Sequence, residues 1–218
     1  MTAQYYVGMY PGERFNSITH LVGLVLALVG LGALLAVAAP HGALRVVIVG
    51  IYGAMLVILY VSSTLYHSLR GDAKKVFHIF DHCSIYLLIA GTYTPLTLIT
   101  IRGAWGWSLF AVVWGLAIAG LVKDSLFRGR YRVISVVLYV VMGWSVVAAF
   151  GPLTRVMPST GIAWLIAGGI FYTVGIVFYG LSKGVPYAHG IWHLFVIAGS
   201  VCQYVTVLLY VAPATYGV

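Results

Sequence analysis

The chain has 218 residues, 62% of them hydrophobic and 7% charged, with a mean hydropathy of +1.03. A soluble domain of this length has no use for so much apolar sequence, whereas a protein that crosses a membrane several times does. A net charge of +8 would suit nucleic-acid binding in a polar protein. Here the few charges lie between apolar runs, so they read as orientation signals, and no nucleic-acid partner is expected. Cys83 and Cys202 both fall inside apolar runs, which argues against a disulfide framework.

A short polar-aromatic lead ends near Gly12. The first apolar run, 17–39, is long enough to cross a bilayer. Its Ala36-Val37-Ala38 imitates a signal-peptide cleavage site. Lead and run together are too long for a signal peptide, and six more runs follow, so a retained helix is expected. The later spans are read at 44–69, 77–101, 106–122, 133–150, 161–181 and 185–211. The fold class is therefore all-α, an integral membrane bundle of seven transmembrane helices forming one domain over 1–218. Pro95 should kink the third span. Gly32, Gly53, Gly115, Gly143, Gly168 and Gly169 offer small faces for helix packing.

Alternating spans put nine basic residues on one side: Arg14, Arg70, Lys74, Lys75, Lys123, Arg128, Arg130, Arg132 and Lys183. The other side has Arg45, Arg102 and Arg155. The positive-inside rule then places the N-terminus in the cytoplasm and the C-terminus outside. That is the reverse of a G-protein-coupled receptor. A retinal Schiff base is excluded as well, because the last span has no lysine.

The last span opens on His189-Gly190-Ile191-Trp192-His193. Residues four apart share a helix face, so both imidazoles can reach one point, the spacing a metal ion asks of two ligands from one helix. Histidine inside a membrane is expensive and needs a partner or a function. The topology brings His67, Asp81, His189 and His193 within a turn or two of the cytoplasmic surface, with Ser63 one turn deeper than His67. Glu13, Asn16 and His20 enter the same layer from the first span. Three imidazoles, from His67, His189 and His193, leave a fourth tetrahedral position on Zn2+ for water, whose acidity zinc brings near neutrality. Asp81 can orient that water or accept its proton, and Ser63 can hydrogen-bond to either. At this depth a lipid amide or ester carbonyl is the natural substrate, so a membrane lipid is the expected partner. Glu13, Asn16 and His20 are assigned to closing the cytoplasmic mouth by hydrogen bonds.

Glu13-x-x-Asn16-x-x-x-His20, Ser63-x-x-x-His67, Asp81-His82-x-Ser84-Ile85 and His189-x-x-x-His193 resemble the motifs of the progestin and adipoQ receptor family. The bacterial branch, hemolysin III, is the closer match: His82 follows the aspartate, and Gly91-Thr92-Tyr93-Thr94-Pro95 follows in turn. The motifs occur in order over essentially the whole chain. The resemblance implies zinc at His67, His189 and His193, with Ser63 and Asp81 beside its water. It also implies an activity like the ceramide hydrolysis linked to the adiponectin receptors, or a part in cytolysis or membrane-lipid homeostasis. The expected location is a bacterial plasma membrane.

Other readings remain open at this level. One is a structural metal in a non-enzymatic sensor or regulator of membrane state, and another is a cytolysin. His78 and His82 form a second pair four apart, which allows a second metal or another ligand set.

Overall fold

The computed structural model of the chain describes residues 9–10, 12–127 and 130–214. No strand occurs among these residues, and seven helical spans are long and apolar enough to cross a membrane. They are built from α1 (Glu13–Ala38), α2 (Ala43–Ser68), α3 (Gly71–Pro95), α4 (Gly103–Phe127), α5 (Arg132–Trp144), α6 (Phe150–Val156), α7 (Ser159–Leu181) and α8 (Ala188–Thr206). A 3-10 segment, Ser145–Ala149, joins α5 to α6 in one span. π-helical turns extend α3 over Leu96–Ile101 and α8 over Val207–Val211.

The seven spans expected from the sequence are these seven, with bounds that shift for physical reasons. α3 begins at Gly71, not near residue 77, because its polar first turns are held by contacts that hydropathy does not register. Lys74 Nζ donates to Glu13 Oε1 and to the carbonyl of Tyr66, both at 2.8 Å. α4 runs on to Phe127 because Asp124, 1% exposed, is paired with Lys123 at 2.7 Å and accepts from Ser135 Oγ on α5. Those bonds clasp α4 to α5 at the end of the bundle that holds the histidines. The fifth span is broken, not continuous, and the chain beyond Pro95 turns π-helical, with Arg102 N–H donating to the carbonyl of Thr97. Proline cannot supply the regular backbone donor, and a π turn is one way a helix absorbs the defect.

The packing core lies between α1, α2, α3 and α8, around Leu34, Val49, Tyr52, Leu56 and Val207. The outward faces carry exposed apolar side chains such as Val29, Leu126 and Val133, as a surface facing lipid should. Among the glycines, Gly53 packs on Leu31, Gly168 on Gln203 and Gly169 near Trp144, whereas Gly32, Gly115 and Gly143 face open space. One glycine positions the site. A Cβ at Gly190 would collide with the Phe15 ring and come 3.0 Å from Asn16 Oδ1, so its absence lets α1 lie close against the start of α8.

Candidate metal centre

Antiparallel packing brings the end of α2 and the start of α8 to one depth, and their histidines converge there. His67 is 2% exposed, His193 is fully buried and His189 is partly buried. The ring centroids of the three lie 4.8–5.1 Å apart. One ligating atom from each lies within 4.8 Å of the others. The Nε2 atoms of all three are buried without a hydrogen-bond partner. Buried imidazole nitrogen without a partner is costly, and three at one point are costly three times over. A metal ion satisfies them together, so this trio fits one; it is the one such group among the described residues.

Which nitrogen carries the proton follows from α1. His67 Nδ1 lies 2.5 Å from Glu13 Oε2, a carboxylate that can only accept, so Nδ1 is the donor and Nε2 keeps its lone pair. Glu13 is itself held by Lys74 Nζ at 2.8 Å and Asn16 Nδ2 at 3.0 Å. His193 Nδ1 lies 3.1 Å from the Asn16 carbonyl, and the same accounting leaves its Nε2 free to ligate. Thr19 Oγ1 donates to that carbonyl at 2.8 Å and lies 3.1 Å from His193 Nδ1. The first helix thus supplies no ligand to the group, yet it orients two of the three rings, an arrangement typical of protein metal sites.

His20 sits differently from its neighbours on α1. It is 2% exposed, both ring nitrogens lack hydrogen bonds, and its ring stacks on His193 at 3.6 Å with a 14° interplanar angle. Parallel stacked rings send their in-plane lone pairs in parallel directions, so His20 and His193 cannot converge on one ion. Its second neighbour is Tyr60, edge-on at 5.2 Å. Glu13 and Asn16 form the hydrogen bonds at the mouth; His20 lies deeper and forms none.

Asp81 is 7% exposed, beside Ser63 and within electrostatic reach of His67. The Ser63 hydroxyl is buried and faces the Asp81 carboxylate. Asp81 and His20 both line a cavity of about 240 Å³ that runs along α3, α5, α7 and α8, walled otherwise by side chains such as Ile85, Leu88, Val140 and Ile166. His78 and His82 lie 4.6 Å apart, but His78 Nε2 accepts from the Arg132 guanidinium at 3.3 Å, and that cation opposes a second metal there.

Residues 9–204 match the family model described as haemolysin-III related. The chain belongs to that family. It is 44% identical to Hemolysin-3 of Bacillus cereus over 92% of each chain. It is 41% identical to the Hemolysin-3 homolog of Bacillus subtilis (strain 168), over 91% of this chain and 93% of that one. The human monocyte to macrophage differentiation factor is 29% identical over 76% of this chain and 72% of its own length. The haemolysin III-related chain is accordingly a multi-pass membrane protein with a buried histidine group able to hold a metal ion.

Thr19 and Lys74 are site residues that the motif reading passed over. Both had a local signal. Thr19 is a polar residue three after Asn16 on a helix about to become apolar, and Lys74 is a cation at the membrane edge one turn before His78.

Proposed function

We propose that the protein is a zinc-dependent membrane hydrolase that cleaves a lipid amide or ester at the cytoplasmic side of a bacterial plasma membrane. The observation that carries this reading is the convergence of three buried, partnerless Nε2 atoms, with Asp81, within electrostatic reach of His67, lining a largely apolar cavity. Three imidazoles suit zinc among the borderline metals. When bound, zinc supplies Lewis acidity toward a carbonyl oxygen and toward water. The chain's own residues do the rest. Asp81 takes a proton from the attacking water on a carboxylate oxygen and passes it to the departing nitrogen or oxygen. The Ser63 hydroxyl, beside that carboxylate, orients the water or the carboxylate. The cavity holds the apolar chain and keeps bulk water from the reacting carbonyl. The basic residues gathered at the histidine end support a cytoplasmic location.

A second reading is supported by the α1 contacts. An ion at this point ties α2 to α8, both clasped by α1, and so fits a purely structural metal in a sensor or regulator of membrane state. The two readings part on one experiment, elemental analysis and lipid turnover of detergent-purified wild type and Asp81→Asn. Hydrolysis requires near-stoichiometric zinc in both proteins and turnover in the wild type alone. Turnover unchanged in Asp81→Asn refutes the catalytic assignment, and metal binding without any product in the wild type favours the structural one. Release of dye from liposomes by the purified protein would instead point to cytolysis, the activity in the names of the Bacillus relatives.

A further inference from the structure

Among the side chains lining the cavity, Gln203 has a polar atom left without a partner. This residue lies on α8 and is 6% exposed. Its Nε2 donates to the carbonyl of Leu165 at 3.1 Å, while its Oε1 is buried with no partner. The amide cannot usefully turn over, because that would set Oε1 against a second acceptor. It is also seated closely: a Cβ on Gly168 would lie 2.5 Å from Nε2.

The other polar groups along this stretch are already engaged. Thr92 donates to the Leu88 carbonyl at 2.8 Å, and Tyr172 pairs with Ser200 at 2.9 Å. Thr173 donates to the Gly169 carbonyl at 2.7 Å while accepting from Trp144 Nε1 at 3.0 Å. Oε1 thus stands apart from these groups in having no bond of its own, and in apolar surroundings an unmet acceptor is costly and a donor on the ligand is rewarded.

We propose that Gln203 is a specificity-determining residue that accepts a hydrogen bond from a hydroxyl group carried partway along the lipid's chain. The inference rests on reading the cavity as a lipid site, and it specifies which lipids that site prefers. α8 is regular from Ala188 to Thr206, so the ten residues from His193 to Gln203 advance about 15 Å. An extended hydrocarbon chain advances about 1.3 Å per carbon. With its carbonyl at the histidine centre, such a chain brings roughly its twelfth carbon to Gln203. A plain chain fits the cavity but leaves Oε1 unmet. A chain with its hydroxyl elsewhere meets apolar walls or polar groups already bonded to other partners.

Positional isomers give the cleanest test, since each carries the same hydroxyl out of water and only its place differs. Purified Asp81→Asn protein, which retains the cavity, is titrated by displacement of a fluorescent fatty acid. The competitors are octadecanoic acids hydroxylated at the twelfth or the seventh carbon, and the unsubstituted acid. The twelfth-carbon isomer is expected to bind about tenfold more tightly than the seventh. Gln203→Met, close in shape and without the acceptor, should erase that ratio while still binding the plain acid. Equal affinity of the two isomers for the Gln203 protein overturns the inference and leaves the hydrolase reading standing. A ratio that survives Gln203→Met overturns it too. Failure of every chain to displace the probe overturns both the inference and the cavity's role as a lipid site.

Discussion

Glu13→Gln is the sharpest perturbation of the metal centre, because it changes one charge and almost no volume. In the structure Glu13 accepts from His67 Nδ1 at 2.5 Å and is held by Lys74 at 2.8 Å. The glutamine keeps an oxygen that can accept from Nδ1 but loses the negative charge that makes His67 a stronger donor to metal. A hydrogen bond to a charged group contributes about 1.5–3 kcal/mol and a neutral one about 0.5–1.5, so the difference is on the order of 1–1.5 kcal/mol. That corresponds to roughly a tenfold rise in metal Kd, the lower end of what loss of such an orienting partner costs. The assay is titration of metal-free protein with zinc in a competing chelator, beside wild type and His193→Ala. The expected order of affinity is wild type, then Glu13→Gln, then His193→Ala with no measurable binding. A Glu13→Gln protein with the wild-type Kd would refute the claim that α1 tunes the site through His67.

Further outcomes follow from the same geometry. Thr19→Val should weaken zinc only about two- to threefold, since the Asn16 carbonyl still holds His193 Nδ1; a loss as large as that of His193→Ala would contradict this. Asp81→Asn should lower lipid turnover by about 10²–10⁴-fold with zinc retained, measured by product analysis alongside metal content. Asp124→Ala removes the carboxylate beside Lys123 and Ser135. It should cut thermal stability by about 5–10 °C while leaving metal stoichiometry unchanged, and wild-type stability would show that the α4–α5 clasp carries no weight.

The histidine layer was legible in the sequence because helices impose a strict geometry. The four-residue spacing of His189 and His193 fixes a shared face, and counting spans fixes the depth at which His67 and Asp81 meet them. Hydropathy located all seven spans for the same reason: the bilayer sets a length that sequence must fill. It failed where polar residues satisfy one another. Lys74 and Asp124 look like helix-ending charges, yet their partners Glu13 and Ser135 lie on other helices, and no local pattern reveals a partner 61 or 11 residues away. The place of His20 escaped for a related reason. Its motif neighbours Glu13 and Asn16 hydrogen-bond at the mouth, but one further turn carries His20 under the His193 ring, and ring stacking has no sequence signature. The break after Trp144 was equally hidden, since no proline or glycine pair marks the residues that turn 3-10.

The α1 clasp bears on whether the ion serves the fold or the chemistry. Glu13, Asn16, Thr19 and His20 all touch rings carried by α2 and α8, so the planes of His67 and His193 are set by protein contacts. Rings held this way give up little freedom when a metal arrives, and binding stabilises all three helices by mass action. A metal that served the fold alone would be best closed by a fourth protein donor. The described residues offer three in the group, and the nearest further imidazole, His20, is turned aside by its stacking on His193. On the proposed reading, His67, His189 and His193 would hold the ion and leave room for water or substrate, with Asp81 buried nearby and lining an apolar cavity. A fold seeking only rigidity would gain little from keeping Asp81 buried there, because a buried carboxylate, even beside Ser63 and His67, costs more than the apolar side chain that could replace it.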